Sequence, residues 1–386
     1  MLSYAIMAAL VVSTAAPDVP GLVFDRIPIG HNSTYEAASV FDVNNDGFKD
    51  IFCGGYWYEG PDFAKAHKVC DLMYIDTYYD DFSNYPMDVN GDGYMDIVAG
   101  GYFGCILQWR ENPKGGPGEW TTHDVAKTGN IERNVFYDMD GDGVDEVMPV
   151  TKPVYIFKLK RDAQGRGIGE FEQFTVETDG GGGHGFGCGD VNGDGHPDMI
   201  FSGGWLEAPA DTYDMTGWKW HPEFNLGSAS VPILVYDVNK DGKNDLIVGE
   251  AHNYGLFWME QGVDPQGGRT WTKHVIETDR SQFHDIQLHD IDNDGEPELV
   301  TGKRFWAHNG HDPGDRDPLG VYYYKINKGA FTRTSIDFGP AATNSGVGIY
   351  FWVEDVNGDG WKDIVAPGKQ GLCLFLNRGM GKVSMR

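Results

Sequence analysis

A nine-residue acidic segment occurs seven times along this chain of 386 residues. Each copy has the pattern D-x-[ND]-x-D-G-x-x-[DE] and is followed by a short apolar run, often with Gly-Gly behind it. The first aspartates stand at 42, 88, 138, 190, 237, 290 and 355, so the copies are 46, 50, 52, 47, 53 and 65 residues apart. A period of this length is typical of one four-stranded blade per copy. The repeats therefore predict an all-β protein, a seven-bladed β-propeller.

The rest of the chain has the pattern of short strands. Apolar runs bounded by Gly, Asn and Asp recur along it, whereas no long stretch has apolar residues at helical spacing. We expect a single propeller domain over residues 17–386, with the N-terminal strand near Leu22-Val23-Phe24 completing the last blade, because that closure removes an open sheet edge. Histidines also recur late in four units, at His67, His123, His221 and His274. Since a residue that repeats with the fold usually serves the fold, we interpret them as packing residues of the outer strands.

The acidic segment has the ligand pattern of a calcium loop. Positions 1, 3 and 5 offer side-chain oxygens, Gly at position 6 permits a sharp turn, position 7 offers a carbonyl and position 9 a carboxylate. Calcium suits this set better than magnesium, which prefers fewer protein ligands and more water. No helical pattern flanks the loops, so an EF-hand is not expected; the alternative is a network of Asx turns without metal. The predicted structural calcium ligands are Asp42, Asn44, Asp46, Asp50, Asp88, Asn90, Asp92, Asp96, Asp138, Asp140, Asp142, Glu146, Asp190, Asn192, Asp194, Asp198, Asp237, Asn239, Asp241, Asp245, Asp290, Asp292, Asp294, Glu298, Asp355, Asn357, Asp359 and Asp363.

The run D-x-[ND]-x-D-G-x-x-D-[IL]-x-x-G-G resembles the FG-GAP/VCBS type of propeller repeat over about residues 24–378. Four stretches go beyond the generic repeat, at residues 57–61, 204–209, 250–255 and 302–309. They are similar to single-propeller lyases that act on rhamnose–glucuronate linkages, and to the propellers of aldos-2-ulose dehydratase. This resemblance implies a carbohydrate-active enzyme. Because of the resemblance to the dehydratase, a catalytic divalent metal stays an alternative.

Propeller geometry indicates where a site would lie. The acidic loop joins the first two strands of a blade, A and B, at one face of the ring. The start of strand A and the end of strand B therefore meet at the other face, around the mouth of the central channel, where function most often lies. Six positions before each first aspartate stand Glu36, Phe82, Glu132, His184, Val231, His284 and Ile349. Residues after strand B include Tyr56, Trp57, Tyr102, Phe103, Lys152, Trp205, His252, Tyr254, Lys303, Arg304 and Lys369. These positions differ from blade to blade, which a fold does not require, so they indicate an asymmetric ligand site.

The residue types at this mouth suit β-elimination from a uronate. Histidine can act as general acid or base near neutral pH, and Lys303 and Arg304 can pair with a uronate carboxylate. The candidate catalytic residues are His184, His252, His284, Tyr102, Lys303 and Arg304. The candidate substrate-binding residues, mostly aromatic faces for a sugar, are Tyr56, Trp57, Trp205, Tyr254 and Lys369.

Several other interpretations of the same residues stay open. The three histidines His184, His252 and His284 could together bind zinc, or serve as hydrogen-bonded structural groups. Lys303 and Arg304 could form salt bridges with Asp285 or Asp290. The loop 306–319, which carries His308 and His311, lies in the longest repeat and is a candidate lid.

The sequence thus predicts an exported lyase that cleaves a uronic-acid-containing glycan. A keto-sugar dehydratase is the second hypothesis, and a non-catalytic propeller that binds glycan or protein is the third. A glycoside hydrolase would need two carboxylates across the pocket; Glu36 and Glu132 are candidates for that less favoured alternative.

Composition limits partners and location. The net charge of −28 argues against naked nucleic acid as a partner, because a binder needs a basic surface. The apolar run Tyr4 to Val12 is too short to span a membrane and, with the small residues after it, resembles a signal peptide over residues 1–16 that lacks a basic start. The predicted location is therefore secreted, periplasmic or cell-surface. The five cysteines have no CxxC or zinc spacing, and nothing in the sequence indicates an oligomeric state.

Overall fold

The computed structural model describes residues 18–30, 33–178 and 184–384. Within these ranges the chain forms seven four-stranded antiparallel sheets, one two-stranded hairpin and one short 3-10 helix, Ala307–Asn309. Each sheet is one blade, with strands A to D counted outward from the channel. The predicted seven-bladed β-propeller is confirmed, whereas the proposed signal segment, residues 1–16, lies outside the described residues.

The first three blades follow the first three acidic segments. The strand β1, Asp18–Ile29, precedes them. Blade one contains Ala38–Phe41 (β2), Asp50–Cys53 (β3), Tyr56–Glu59 (β4) and Lys65–Lys68 (β5). A hairpin of Tyr74–Ile75 (β6) and Tyr78–Tyr79 (β7) leads into blade two, which contains Ser83–Met87 (β8), Asp96–Gly100 (β9), Ile106–Glu111 (β10) and Thr121–Lys127 (β11). Blade three contains Asn134–Tyr137 (β12), Glu146–Pro149 (β13), Val154–Arg161 (β14) and Gly167–Val176 (β15).

The remaining four blades repeat this order. Blade four contains Phe186–Gly189 (β16), Asp198–Phe201 (β17), Gly204–Glu207 (β18) and Lys219–His221 (β19). Blade five contains Leu234–Tyr236 (β20), Asp245–Gly249 (β21), Tyr254–Val263 (β22) and Arg269–Ser281 (β23). Blade six contains Ile286–His289 (β24), Glu298–Gly302 (β25), Leu319–Asn327 (β26) and Ala330–Gly339 (β27). Blade seven contains Trp352–Glu354 (β28), Asp363–Ala366 (β29) and Leu372–Ser384 (β30).

The N-terminal strand completes blade seven, as the sequence predicted. The strand order is β1-β30-β29-β28, so β1 is the outermost strand of the last blade. It pairs antiparallel with β30 from Asp18 opposite Ser384 to Ile29 opposite Leu372, with an irregularity between Leu22 and Phe24. The first and last described strands therefore close the ring together.

Packing between blades explains the apolar runs behind each acidic segment. In β9, β21 and β25 all five residues are buried, because a strand B has neighbouring blades on both faces. A short continuous apolar run is the pattern of such a strand. The outer strands are more exposed, since one face of them meets solvent; β11 has no buried residue.

The four repeated histidines pack on the outer strands, which confirms that interpretation. Each lies flat on a tryptophan of strand C, with ring centroids 3.9–4.5 Å apart, in the pairs His67–Trp57, His123–Trp109, His221–Trp205 and His274–Trp258. Each Nε2 is also 2.7–2.9 Å from a strand C glutamate, in the pairs His67–Glu59, His123–Glu111, His221–Glu207 and His274–Glu260. The tryptophans therefore serve the blades.

The acidic loops are held by hydrogen bonds from their own backbone. In the first loop the Asp42 carboxylate accepts the amides of Asp46 at 3.1 Å and Gly47 at 2.8 Å. The position-9 carboxylate of Asp50, fully buried, accepts the amide of Val43 at 2.8 Å and that of Gly60 at 2.7 Å. The same bond from the residue after the first aspartate to position 9 occurs in the other six loops, at Val89–Asp96, Met139–Glu146, Val191–Asp198, Val238–Asp245, Ile291–Glu298 and Val356–Asp363. Position 9 thus ties the strands of a blade together, and calcium at these loops stays a prediction.

Candidate functional site

A cavity of about 760 Å³ opens at the channel mouth opposite the acidic loops. Its walls come from the starts of strands A and from the connections after strands B, as propeller geometry predicts. The residues that line it include Phe82, Glu132, His184, Tyr102, Phe103, Thr151, Lys152, His252 and Arg304, together with Asp76, Tyr78, Asn130, His308 and Asn309. Four of the six candidate catalytic residues are therefore in one cavity: Tyr102, His184, His252 and Arg304.

Three histidines from consecutive blades converge beside this cavity. His184 and His284 stand at the starts of strands A in blades four and six, and His252 follows strand B of blade five. The Nε2 atoms of His184 and His252 face each other, and these two rings have centroids 4.0 Å apart. The ring of His284 lies 5.6 Å from that of His184 and 4.7 Å from that of His252.

His284 is buried without a partner. Its exposed fraction is 2%, and among the residues that the structure describes neither ring nitrogen has a hydrogen-bond partner. Leaving a buried polar group unsatisfied costs about 1–3 kcal/mol. Because the side chain is buried, bulk solvent does not satisfy its ring nitrogens. A ligand bound at the site would satisfy one of them.

Glu132 adds a carboxylate to the cluster. Its Oε1 is 3.5 Å from His184 Nε2, and one ligand atom each of Glu132, His184 and His284 lies within 4.8 Å of the others. The same limit holds for His184, His252 and His308. Imidazoles and carboxylates are the donors that zinc and related divalent ions take in proteins. The donor set therefore fits a divalent transition metal.

Burial keeps the three imidazoles neutral, which is the form that binds a metal. It lowers the pKa of His184 to about 3 and that of His252 to about 4, and it lowers the pKa of His284 well below the usual value. Positive charge on Arg304 acts in the same direction at His184 and His284. The same burial raises the pKa of Glu132, although Arg304 opposes that rise.

The loop 306–319 supplies a carboxylate that orients His252. His252 Nδ1 is 2.8 Å from Asp312 Oδ2, which leaves Nε2 directed toward His184. A carboxylate behind a ligating histidine fixes its tautomer and orientation. His308, on the same loop, stacks on His252 with centroids 4.2 Å apart, and its Nδ1 is 3.2 Å from Asp312 Oδ1. The loop proposed as a lid thus reaches the cavity through His308.

Local backbone conformation presents His308 at this place. Trp306, His308 and Asn309 all have φ between 45° and 58°, a left-handed backbone conformation that residues other than glycine rarely adopt. Such strained positions persist where the surrounding contacts fix them, and they cluster at functional sites. His311 is exposed and its Nδ1 is 2.7 Å from the carbonyl of His308, so it braces the loop.

Arg304 is paired with Glu36, and the salt bridges predicted with Asp285 or Asp290 are wrong. The guanidinium is 3% exposed; it donates from Nε to Glu36 Oε1 at 2.7 Å, and NH1 lies 3.8 Å from Glu132 Oε1. Asp285 is instead paired with Arg133 at 2.7 Å. Because Glu36 is 4% exposed and bound to Arg304, it is not placed as one of two free hydrolytic carboxylates.

Lys303 and Lys369 brace loops and are outside the described cavity lining. Lys303 is 1% exposed and donates to the carbonyl of Gly314. Lys369 donates to Thr77 Oγ1 at 3.1 Å and to the carbonyl of Trp306 at 3.0 Å. Burial lowers the pKa of each lysine to about 8. Neither ammonium is placed to receive a substrate carboxylate in this conformation.

The aromatic residues predicted to stack on sugar are placed elsewhere. Trp57 and Trp205 are 2% and 0% exposed and lie within blades, under His67 and His221. Tyr56 belongs to strand C of blade one and contacts Tyr35, with centroids 6.4 Å apart. Tyr254 is 40% exposed, but its hydroxyl donates to Asp317 at 2.6 Å, beside the loop and away from the cavity wall. The placement of these four side chains corrects the sequence prediction.

Other wall residues escaped the sequence analysis. Asp76 and Tyr78 lie in the hairpin between blades one and two, outside the repeat unit. Tyr78 is one wall of the cavity, and Lys369 Nζ sits 3.4 Å from its ring centroid. Asp312 also went unnoticed, although its position in the longest inter-repeat segment was the available signal.

Arg133 reaches across the channel to residues of three other blades. Its NH1 donates to the carbonyls of Val231 in blade five and Ile349 in blade seven, and it forms an ion pair with Asp285 of blade six at 2.7 Å. The guanidinium also lies 4.4 Å from the ring centroid of Tyr350. A second cavity of about 410 Å³ lies on the other side of Arg133.

Two segments of the chain, residues 88–148 and 237–301, match the family model of the FG-GAP-like repeat. The chain carries FG-GAP-like repeats. Each matched segment begins at one acidic loop and runs through the next, across blades two to three and five to six. The second FG-GAP-like segment contains His252 and His284. No curated protein is significantly similar to the chain. No helix among the described residues is long and apolar enough to cross a membrane.

Proposed function

We propose that this protein is a metal-dependent carbohydrate lyase whose site is the histidine-lined mouth of the propeller channel. The observation that carries the proposal is the convergence of His184, His252 and His284 with Glu132 at the cavity, with His284 buried and unpartnered. Seven similar blades do not by themselves require these residue types at these places.

Glu132, His184, His252 and His284 would hold the ion. When bound, a divalent metal supplies a Lewis acid that polarises a carboxylate or carbonyl oxygen and so makes the neighbouring C–H more acidic. Asp312 orients His252 for this role through Nδ1. Arg304, fixed by Glu36, holds a positive charge 3.8 Å from Glu132 and opposes the rise in the pKa of Glu132 that burial causes.

The chain supplies the proton transfers from residues that are not ligands. His308 is exposed, with Nδ1 beside Asp312, so its Nε2 is available to take the proton from the acidified carbon. Tyr102, a lining residue of the cavity that is 40% exposed, would protonate the leaving oxygen. The C–H and C–O bonds break, a C=C bond forms, and the leaving oxygen receives a proton, so the elimination balances.

The first substrate class is a uronic-acid-containing glycan, with a rhamnose–glucuronate linkage as the leading example. Its support is the resemblance of residues 250–255 and 302–309 to such lyases, together with the aromatic wall of Tyr78, Tyr102 and Phe103. Aromatic rings offer flat apolar faces to sugar rings.

A keto-sugar dehydratase is the second candidate, and one observation favours it. Lys303 and Arg304, the two cations predicted to bind a carboxylate, are already engaged by Gly314 and Glu36. A ketone oxygen needs no ion-pair partner, so a metal alone can polarise it. The two candidates share the site and the elimination and differ in the activating group.

The experiment measures metal content and unsaturated product together. Purified protein is analysed for divalent metals by mass spectrometry and then incubated with uronate glycans and keto-sugars, with and without chelator, while ultraviolet absorbance follows the conjugated product. The His284→Ala variant is compared with His311→Ala, which changes a histidine outside the cavity. Loss of metal and product in the first variant alone supports the proposal. Absence of metal from the wild type contradicts it, and glycan binding without product would favour a binding propeller.

We also propose that acidic loops of the Asn type, those with asparagine at position 3, bind calcium as a structural ion. Their support is the oxygen ligand pattern at positions 1, 3, 5, 7 and 9. Calcium at this face would be separate from the metal at the mouth, because the loops lie at the opposite face of the ring.

A further inference from the structure

The seven acidic loops are of two kinds. Five have asparagine at position 3 and aspartate at position 9: Asn44 with Asp50, Asn90 with Asp96, Asn192 with Asp198, Asn239 with Asp245, and Asn357 with Asp363. Two have aspartate at position 3 and glutamate at position 9: Asp140 with Glu146 in blade three, and Asp292 with Glu298 in blade six. Both changes occur together each time.

A third difference follows the same division. The strand registers place Lys158 of β14 and Lys325 of β26 at equivalent positions on strand C, each one residue after the partner of the second residue of strand B. The equivalent residue in the other blades is a glutamate or a leucine: Glu59, Glu111, Glu207, Glu260 and Leu376. A lysine therefore occurs at this place only in the two blades with the additional aspartate.

In blade three the lysine is inside the loop. Lys158 Nζ contacts Asp140 at position 3, lies 2.8 Å from Asp142 at position 5 and 3.5 Å from Glu146 at position 9. It also donates to the hydroxyl of Tyr213 at 3.1 Å. These carboxylates raise the pKa of Lys158, so the ammonium stays charged despite its partial burial.

Blade six has the same arrangement. Lys325 Nζ contacts Asp292 at position 3 and lies 3.3 Å from Asp294 at position 5 and 3.9 Å from Glu298 at position 9. In two of the Asn-type loops the equivalent glutamate accepts from position 3: Asn239 Nδ2 donates to Glu260 Oε1 at 3.0 Å, and Asn90 Nδ2 donates to Glu111 Oε1 at 3.4 Å. In these blades the strand C residue faces position 3 as the lysines do, with the opposite charge.

The two kinds of loop differ in how their charge is distributed. Positions 1, 3, 5 and 9 carry three negative charges in an Asn-type loop and four in the other kind. The strand C residue adds a negative charge beside four of the Asn-type loops and a positive charge beside each loop of the other kind. The ammonium lies among the carboxylates of positions 3, 5 and 9, where a metal ion would have to bind. A metal ion bound by the same carboxylates would be close to the ammonium, and the two cations would repel each other.

We propose that Lys158 and Lys325 are built-in cations that replace the metal ion, so that the loops of blades three and six take no calcium. The inference rests on the proposal that Asn-type loops bind calcium. Seven loops less these two leaves five calcium sites.

Calcium stoichiometry tests this inference, measured by native mass spectrometry and titration calorimetry on protein freed of calcium. The wild type is expected to bind five ions. The double variant Asp140→Asn/Lys158→Glu gives blade three the position-3 and strand C residues of an Asn-type loop and is expected to bind six. The double variant Asn90→Asp/Glu111→Lys makes the reverse change at these two positions in blade two and is expected to bind four.

A stability measurement uses the same lysine with a matched control. In calcium-free protein Lys158→Met is expected to lower the melting midpoint more than Lys160→Met, because Lys160 is two residues along the same strand and pairs with the exposed Glu170 at 3.1 Å. Added calcium is expected to restore the midpoint of Lys158→Met, since the emptied loop can then accept an ion.

The outcomes separate the two proposals. Seven calcium ions in the wild type, or an unchanged stoichiometry in the Asp140→Asn/Lys158→Glu variant, overturns the lysine assignment while calcium binding stands. Absence of calcium from the wild type and from every variant, with no calcium rescue of Lys158→Met, overturns both.

Discussion

The two faces of this ring are built from the same blades, but they follow opposite rules. At the face with the acidic loops, the position-9 carboxylate makes the same hydrogen bond seven times, from Val43–Asp50 to Val356–Asp363. At the channel mouth, equivalent positions carry residues as different as Phe82, Glu132 and His284. A residue that repeats with the blade serves the fold, whereas a departure from the repeat indicates a local task. The lysines of blades three and six are such departures on the otherwise repetitive face.

The largest effect is expected at the mouth, from His284→Ala. Losing the metal removes several kcal/mol of transition-state stabilisation, so we expect product formation to fall about a thousandfold or more, which corresponds to about 4 kcal/mol. Metal content should fall with it, while the circular dichroism spectrum stays that of the wild type. Initial rates and metal analysis on the same preparation measure the effect; a metal-free variant with wild-type rates would contradict the assigned site.

At the opposite face, Asp96→Ala is expected to reduce stability and leave chemistry alone. The buried carboxylate accepts the amides of Val89 at 3.0 Å and Asn112 at 2.8 Å, and its loss leaves both unsatisfied. We expect about 2–4 kcal/mol less free energy of unfolding in urea. Asp124→Ala, on the outer strand β11, is the control. Lower activity per folded molecule in Asp96→Ala would contradict the assignment of stability to one face and chemistry to the other.

An intermediate effect is expected for Asp312→Asn, which changes the residue behind His252. Such partners typically contribute 10- to 100-fold to metal affinity or activity, or about 1.4–2.7 kcal/mol. Metal affinity, from competition with a chromophoric chelator, should fall by this factor. The control is Asp317→Asn, since Asp317 lies on the same loop as Asp312 but accepts from the Tyr254 hydroxyl of β22. Equal losses in both variants would assign the effect to the loop as a whole.

The smallest effect is expected for His123→Ala on the outer strand of blade two. The stack on Trp109 and the contact with Glu111 are partly exposed, so we expect about 0.5–1.5 kcal/mol lower stability and unchanged product formation. Urea unfolding and the absorbance assay measure the two quantities. A larger loss of activity than of stability would show that a repeated residue can also serve the site.

The sequence predicted the fold well because its repeats specify both the number of blades and the face on which each loop lies. The same reasoning correctly located the starts of strands A, so Glu132 and His184 were expected at the mouth, where they line the cavity. It misplaced Trp57 and Trp205 because only two residues separate strands B and C in blades one and four. The chain therefore turns back into the blade at once, whereas the longer connection before β22 keeps His252 at the mouth.

Side-chain direction and contacts across the ring were beyond the sequence pattern. Lys303 and Arg304 are adjacent, yet only Arg304 lines the cavity, since Lys303 is directed to the carbonyl of Gly314. The partner of Arg304, Glu36, is 268 residues away along the chain and belongs to another blade. Only the closed ring brings these two residues together.

The guanidinium of Arg133, which contacts three other blades, has a consequence for how ligands reach the cavity. This side chain lines the second cavity, and it does not line the cavity at the mouth. In the proposed lyase, substrate would enter and product would leave through the same opening at the mouth. Such a site would suit chain ends and small sugars, and product would compete with substrate.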